Sequence, residues 1–365
     1  MSYVLAFLGF AALIILHEAG HFVAAKAVGM RVERFSLFFG PLLVKFRRGE
    51  TEYGIGPLPL GGYVKITGMN PHEELPPEVV PRAYYNQPVW KRVVVILAGP
   101  AVNLFIAFVL LTGIYLSQGA VVTSNGQPVA TNAIAAGSLQ PPASSFLKAG
   151  DRIIAVDGRS GLSVERISAA IGSHRCAGTP VAGCRAATPV ALLVRRDGRL
   201  RRFSVNPRYD PVAKRPRIGF GFAVAFKSLG PVGAARQAVS QMWYATHTTV
   251  STIARIFEPK VRSQLHSVVG GFKVTQQEFA FNATAALYTR AVISLLLAVV
   301  NLFPFLPLDG GHVFWALAEK VRGRRISFDV LERAGAVGFV LIMIIFVIGL
   351  SNDISTLTGQ GFNTR

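Results

Sequence analysis

The residues best suited to chemistry are the five-residue run His17-Glu18-Ala19-Gly20-His21, near the start of the chain. On a helix, positions i and i+4 share one face, so the imidazoles of His17 and His21 can bind one metal ion together. Glu18 lies one step round the helix, where its carboxylate can take a proton from a water molecule at that ion. The spacing is therefore typical of a zinc-dependent hydrolase and predicts Zn²⁺ as the cofactor.

The sequence around this motif is almost unbroken hydrocarbon, from residue 3 to 16 on one side and from 22 to 25 on the other. Each ionisable residue in a membrane-spanning helix costs about 2.5–3.5 kcal/mol on insertion scales, so three within five positions need a functional reason. The alternative is a chance match, which long chains do contain. The apolar surroundings favour the functional interpretation and predict hydrolysis within the bilayer.

A second candidate region for the metal site lies late in the chain. A catalytic zinc ion ordinarily takes three protein ligands and keeps a fourth position open, so the first helix leaves one ligand unaccounted for. Asp309 is the only carboxylate in the apolar segment 301–312, and an isolated intramembrane carboxylate needs a partner. Asp309 is therefore the predicted third ligand, and His312 is the competing candidate.

The composition places these motifs in a membrane protein, because 51% of the 365 residues are hydrophobic and the mean hydropathy is +0.42. A spanning helix requires about 20 predominantly apolar residues. The third of four qualifying segments is interrupted by Pro304, Pro307 and the run Asp309-Gly310-Gly311. The sequence thus predicts an α-helical polytopic membrane protein with about four transmembrane helices, one of them broken. The expected spans are residues 2–28, 93–116, 290–318 and 334–350.

The net charge of +19 is scattered over every hydrophilic segment and forms no single basic stripe with aromatic residues. We therefore expect anionic membrane lipids, and no nucleic acid, as partners. Lys and Arg are frequent in the loops 30–92 and 319–333, which the positive-inside rule assigns to the cytoplasm. This topology predicts a multi-pass protein of the cell inner membrane, with its active site toward the cytoplasmic side and the segment 117–288 outside.

The outside segment has fold signals of its own. Its predicted elements are a strand and Asp-Gly turn within residues 146–158, a helix over 163–171 capped by Ser163, and a hairpin of 190–196 with 200–205. This order resembles an α+β PDZ domain over residues 127–207. The expected use of such a domain is capture of an extended peptide on a sheet edge, and a spacer that binds nothing is the alternative.

Cys176 and Cys184, the only cysteines, both belong to this segment. Outside the cytoplasm they can form a disulfide, and two unpaired thiols are the alternative. The predicted organisation then has four parts: an N-terminal membrane core at 1–117, an extracytoplasmic PDZ-like domain at 120–208, an amphipathic membrane-associated linker at 209–288 and a C-terminal membrane core at 289–365.

The HExxH run, the late segment Asn301-Leu302-Phe303-Pro304-Phe305-Leu306-Pro307-Leu308-Asp309-Gly310 and the PDZ-like insert together resemble the site-2 protease family. These are intramembrane zinc metalloproteases, and the similarity is greatest to the bacterial regulator-of-sigma-E protease type. Gly99-Pro100-Ala101-Val102-Asn103 and Leu60-Gly61-Gly62-Tyr63-Val64 agree with this family too.

The resemblance implies roles for individual residues. His17, His21 and Asp309 correspond to zinc ligands, Glu18 to the general base, and Asn301 with Pro304 to positions near the bound substrate. The stretch 52–65 corresponds to a re-entrant β-hairpin, in which Gly61 and Gly62 border an extended substrate.

The expected function is an intramembrane zinc endopeptidase that cuts the transmembrane segments of single-pass membrane proteins, such as anti-sigma factors or remnant signal peptides. An upstream site-1-type protease is an expected partner. The alternative is a non-catalytic membrane-protein escort, a pseudoprotease, although Glu18 argues against it because a binding protein needs no general base. A metal transporter is disfavoured because it is expected to repeat its ligands across several helices.

Overall fold

The chain is described here from a computed structural model, which covers residues 2–70, 73–124, 127–176, 178–211, 213–256, 258 and 283–358. Its contacts divide into two units, Gln118–Leu229 and the combination of Met1–Ser117 with Gly230–Arg365. The predicted linker at 209–288 is described only in part, because residues 212, 257 and 259–282 lie outside the described residues.

The described α-helices are α1 Ser2–Ala27, α2 Val89–Gln118, α3 Val164–Gly172, α4 Pro231–Ala254, α5 Ala283–Asn301, α6 Asp309–Arg322 and α7 Phe328–Thr358. Four of them are long and apolar enough to cross a membrane: α1, α2, α5 and α7. Four candidate spans are therefore present among the described residues, as predicted, but the third is Thr284–Asn301 and not the whole of residues 290–318. The third is broken, because α5 ends at Asn301 and the chain becomes helical again only at Asp309.

The break depends on two glycines at the start of α6. A Cβ on Gly310 would collide with the carbonyl oxygen of Leu302, and a Cβ on Gly311 would collide with the backbone of Leu306. Without side chains there, the connection between α5 and α6 folds back against the first turn of α6. The sequence Asp-Gly-Gly thus allows a carboxylate to begin a helix inside an otherwise apolar segment.

Four strands follow α1 and form a sheet in the order β2-β3-β1-β4. Their bounds are β1 Val32–Phe39, β2 Val44–Arg48, β3 Thr51–Ile55 and β4 Leu58–Ile66. β1 pairs in parallel with β3 and antiparallel with β4, so β4 is an edge strand. A buried cluster of Ala25, Met30, Val32, Ile66, Tyr84, Val95 and Ile96 joins this sheet to α1 and α2.

The predicted hairpin over residues 52–65 differs from this sheet. β3 and β4 are not paired with each other, because β1 lies between them. The Gly56 amide donates to the Leu37 carbonyl oxygen at 2.9 Å, so the chain crosses the end of β1 after β3 instead of folding back on it. The hairpin of this region is β2 with β3, whose two-residue turn contains Gly49 at φ +61°.

The second unit contains a sheet with the main order β12-β11-β9-β8-β15, to which β10 adds at β9. Three two-stranded sheets, β5 with β16, β6 with β7 and β13 with β14, complete the unit. The strands of the whole unit are β5 Ala120–Val121, β6 Thr123–Ser124, β7 Gln127–Pro128, β8 Ala130–Ile134, β9 Arg152–Val156, β10 Arg159–Ser160, β11 Val190–Arg196, β12 Arg199–Val205, β13 Arg208–Asp210, β14 Arg215–Arg217, β15 Phe222–Val224 and β16 Phe226–Lys227. A core that includes Ile153, Ile167 and Leu192 packs α3 against the sheet.

Local predictions for this unit are confirmed. The β11–β12 hairpin turns at Asp197-Gly198, and the Ser163 hydroxyl accepts a hydrogen bond from the Arg166 amide at the start of α3. Cys176 and Cys184 are joined in a disulfide, with their Cα atoms 6.3 Å apart.

A bidentate ion pair fixes the turn before β9 to the end of β11. Arg196 donates from Nε to Asp151 Oδ1 at 2.7 Å and from Nη2 to Oδ2 at 2.6 Å, and the Lys148 amide donates to Oδ2 at 2.9 Å. Asp151 is only 1% exposed. Burial alone raises the pKa of its carboxyl, but the hydrogen bonds from Arg196 and Lys148 outweigh that effect and hold the pKa below its usual value.

We expect Asp151→Asn to destabilise the second unit by about 1–3 kcal/mol at neutral pH, because Arg196 loses a charged bidentate partner. The folded-state pKa lies below the unfolded value of about 3.9, so this stability is fully present above that value. It is lost as the pH falls through the folded-state pKa. Native-state hydrogen exchange of the β9 and β11 amides in the full chain measures the difference, which should be constant above about pH 5 and shrink below about pH 4.

Asp210→Asn is the matched control. The Asp210 carboxylate also pairs with an arginine, Arg217, but at 3.1 Å and with side chains 29% and 47% exposed. An exposed pair contributes about 0–1 kcal/mol, so this variant should leave β9 and β11 nearly unchanged. A loss in Asp151→Asn that persists at pH 2 contradicts the ion-pair explanation.

Candidate metal centre

Three potential ligand atoms converge in the first unit. His17 Nε2 and His21 Nε2 lie 3.3 Å apart, and Asp309 Oδ2 lies 3.3 Å from the first and 3.4 Å from the second. The two histidine side chains are 8% and 9% exposed, and that of Asp309 is 17% exposed. Helix α1 supplies the histidines one turn apart, and Asp309 is the first residue of α6.

This triangle fits a tetrahedral zinc ion. Zinc binds imidazole nitrogen and carboxylate oxygen at about 2.0–2.2 Å, and tetrahedral angles then separate neighbouring ligand atoms by about 3.3–3.5 Å. Asp309 Oδ2 is buried and, in the described part of the chain, has no hydrogen bond to compensate for its lost hydration. A buried carboxylate oxygen needs such compensation, and a cation supplies it.

The orientation of His21 is set by the backbone of α2. Its Nδ1 lies 2.9 Å from the carbonyl oxygen of Val95. A carbonyl only accepts, so Nδ1 carries the proton and the neutral ring keeps a lone pair on Nε2. This arrangement directs Nε2 toward the centre of the triangle, as expected for a metal-binding histidine.

Close helix packing makes this contact possible. A Cβ on Gly20 of α1 would come within 2.5 Å of the Ala98 carbonyl oxygen, and a Cβ on Gly99 of α2 would collide with the imidazole of His21. Both positions therefore require glycine for α1 and α2 to lie this close. The Gly-Pro sequence at 99–100 thus provides the space in which the His21 ring lies.

Glu18 contacts the edge strand of the first sheet. A Cβ on Gly62 would come within 2.9 Å of Glu18 Cγ and 3.0 Å of the Ser36 carbonyl oxygen, so the β4 backbone passes directly against the glutamate. Gly61, at φ +148°, packs on the ring of Phe39. The structure thus brings Gly62 to Glu18, while Gly61 lies one residue further along β4.

The remaining candidates occupy the break between α5 and α6. Asn301 is the last residue of α5, and Pro304 lies in the connection that leads to Asp309. His312 does not belong to the three-residue cluster found among the described residues. It lines a cavity of about 380 Å³ together with Arg92, Tyr84 and Glu319. Geometry therefore favours Asp309 over His312 as the third ligand.

Sequence reasoning missed two supports of this region. Arg92 and Glu319 form an ion pair with both side chains 12% exposed, which joins the start of α2 to α6. The second support is the Val95 carbonyl oxygen, which contacts His21. It belongs to the backbone, so no residue type in the sequence indicates it. The only available signal for the ion pair was its charge: Arg92 and Glu319 stand at the ends of predicted spans, where charged residues are common.

We expect Gly99→Ala to reduce metal affinity sharply, because the new methyl group must displace the imidazole of His21. Metal content after dialysis, measured by elemental analysis of the purified protein, reports the loss. Gly113→Ala is the matched control, since a Cβ at that position of the same helix meets no atom of the described residues within 4 Å, apart from the helix's own backbone. Equal metal content in the two variants contradicts the close-packing argument.

Comparison with known proteins shows which family the chain resembles. The model of Peptidase family M50 matches residues 5–345. Zinc metalloprotease Rip1 of Mycobacterium tuberculosis is 31% identical over 343 residues, covering 85% of this chain and 83% of the relative. A putative zinc metalloprotease of Clostridium acetobutylicum is 29% identical, with 96% of both chains covered. One from Nostoc sp. is 30% identical, with 99% of this chain and 98% of the relative covered.

The family match extends over both halves of the candidate centre, since residues 5–345 include the histidines of α1 and the carboxylate of α6. With four helices long enough to span a bilayer and a His-His-Asp cluster that fits zinc, the chain belongs to peptidase family M50, the site-2 protease family, and is a membrane zinc metalloprotease.

Proposed function

We propose that the protein is an intramembrane endopeptidase that cleaves transmembrane segments of single-pass membrane proteins. In this proposal His17, His21 and Asp309 hold the zinc ion, and Glu18 is the general base. The observation that carries it is the position of the cluster: both histidines lie within the candidate span Tyr3–Ala27, and Asp309 starts the helix after a broken span. A metal centre at membrane depth fits a substrate that is itself in the membrane.

The chemistry follows from these side chains. When bound, zinc supplies a Lewis acid for the scissile carbonyl and for the attacking water. Glu18, next to His17 on α1, takes the proton of that water and passes it to the leaving amine. An escort without catalytic activity has no use for this carboxylate, so the intact Glu18 favours the protease.

Edge strand β4 is the proposed surface for the substrate. A transmembrane helix hides its carbonyl groups in hydrogen bonds, so the segment must unwind before cleavage. Among the described strands β4 pairs only with β1, and its other edge can add an extended substrate strand. Gly62 of β4 touches Glu18, so a strand paired there lies beside the general base. We propose that Gly61, Gly62, Asn301 and Pro304 border the substrate and that this sheet is re-entrant.

The unit Gln118–Leu229 is proposed to be PDZ-like and extracytoplasmic. The disulfide of this unit supports its location in an oxidising compartment. The loops 30–92 and 319–333 are basic, which supports a cytoplasmic location for them. We further propose that this unit excludes clients with large outside domains, so that an upstream site-1-type protease must trim them first. Anti-sigma factors and remnant signal peptides are candidate clients of this kind.

The metal assignment predicts a clear division among variants. Alanine at His17, His21 or Asp309 should remove zinc and abolish cleavage of a model transmembrane substrate, because each supplies one of three ligands. Glu18→Gln should keep zinc and lose cleavage by at least about 100-fold, the usual size of a general-base contribution. Zinc content and cleavage are measured on the same detergent-purified samples.

His312→Ala is the control for the third ligand. It removes a neighbouring histidine of α6 that lies outside the cluster, so zinc should stay bound. Loss of zinc in His312→Ala together with its retention in Asp309→Ala contradicts the assignment. Cleavage by Glu18→Gln at the wild-type rate contradicts the role of the base.

The topology predicts the outcome of reporter fusions. Reporters after Gly68 and after Arg325 should read cytoplasmic, and one after Asp157 should read external, because the basic loops stay inside. Cys176 and Cys184 should resist thiol labelling in intact cells until they are reduced. An external signal at Gly68 inverts the proposed orientation.

A further inference from the structure

Asn103 lies on α2 one turn after Gly99 and is fully buried, at 0% exposure. Its side-chain nitrogen Nδ2 is placed 3.0 Å from His17 Nδ1. Its carbonyl oxygen Oδ1 is buried and has no hydrogen-bond partner in the described part of the chain. A buried amide oxygen left without a donor costs about 1–3 kcal/mol, so this placement of the amide leaves an unmet requirement.

The chemistry of His17 resolves that requirement. If His17 Nε2 binds a cation, the neutral ring carries its proton on Nδ1, which then donates and needs an acceptor. The Nδ2 group is itself a donor and cannot serve. Rotating the amide by 180° exchanges two atoms of almost the same size and puts Oδ1 at the 3.0 Å position. One rotation therefore satisfies both the imidazole and the amide oxygen.

We propose, on the basis of the metal site proposed above, that Asn103 is a positioning residue that accepts a hydrogen bond from His17 Nδ1. The contact fixes the tautomer and the ring plane of His17, so that Nε2 is available to zinc. Helix α2 then orients both histidines, since the Val95 carbonyl does the same for His21 at 2.9 Å. Asn103 touches neither substrate nor metal and acts through His17.

The backbone around Asn103 is held independently of its side chain. The Ser294 hydroxyl of α5 donates to the Asn103 carbonyl oxygen at 2.9 Å, and Ser294 is also 0% exposed. This bond joins α2 to α5 and does not involve the amide group. A structural role for this position and a positioning role for the amide therefore depend on different atoms, which separate variants can remove.

The test measures the zinc dissociation constant of the full chain in detergent by competition with a chelator. Asn103→Leu keeps the volume but removes the acceptor, and its zinc affinity should fall about 10–100-fold, as for other partners of metal-bound histidines. Asn103→Asp keeps an acceptor oxygen and should bind zinc within a few-fold of the wild type. The visible spectrum of the Co²⁺-substituted protein should change in the Leu variant and stay close to the wild type in the Asp variant.

Ser294→Ala is the matched control. It should lower the Tm, because it removes the buried bond between α2 and α5, and leave zinc affinity unchanged. Zinc affinity of Asn103→Leu equal to the wild type at an unchanged Tm overturns the inference. If Asn103→Leu does not fold, Asn103→Ala and Asn103→Asp decide: equal zinc affinity in these two overturns it as well.

Failure of the metal assignment itself gives a different pattern. His17→Ala and Asp309→Ala then retain zinc, whatever the Asn103 variants do. If His17→Ala and Asp309→Ala lose zinc while the Asn103 variants bind zinc as the wild type does, the assignment of the ligands is correct and the positioning role of Asn103 is wrong.

Discussion

Two polar rings and a carboxylate lie within 3.4 Å of one another in a region that the sequence makes apolar. These side chains are only 8–17% exposed, so contacts within the protein have to orient them and replace most of their hydration. The close crossing of α1 and α2, which Gly20 and Gly99 permit, is what brings those contacts within reach. Without it, the Val95 carbonyl and the Asn103 amide lie too far from the imidazoles to orient them.

The Asp309 carboxylate is brought to the histidines by the break between α5 and α6. In an unbroken helix through residues 283–322, Asp309 would be an interior residue, far from either end of the helix. The break instead makes it the first residue of α6, where the partial positive charge of a helix N-terminus favours a negative group. The Arg92–Glu319 pair holds α6 against α2 further along. Each half of the centre therefore depends on a contact with α2.

The amino-acid sequence predicted the parts of this site that have a local signature. The spacing of His17 and His21, the four apolar spans and the cap and turn of the second unit all follow from short-range rules, and they are present in the structure. The sequence also predicts Asp309 as the third ligand, but His312 competes with it there, because both lie on one turn and only the path of the broken helix separates them. The predicted hairpin over residues 52–65 corresponds to β3 with β4, whereas the hairpin in the structure is β2 with β3. The sequence does not show this, because β4 pairs with the more distant strand β1. Backbone acceptors such as Val95 have no sequence signal at all.

The position of the histidines along α1 has a consequence for where a substrate is cut. At a rise of about 1.5 Å per residue, the midpoint between His17 and His21 lies roughly 24 Å from Tyr3 and roughly 12 Å from Ala27. The centre therefore lies off the middle of the candidate span Tyr3–Ala27, toward its C-terminal end. Under the proposed function, a client helix beside α1 would be cut at a bond selected by its depth below one membrane face. The bilayer then acts as a ruler, and lengthening a client's apolar segment at one end shifts the scissile position, while lengthening it at the other end does not.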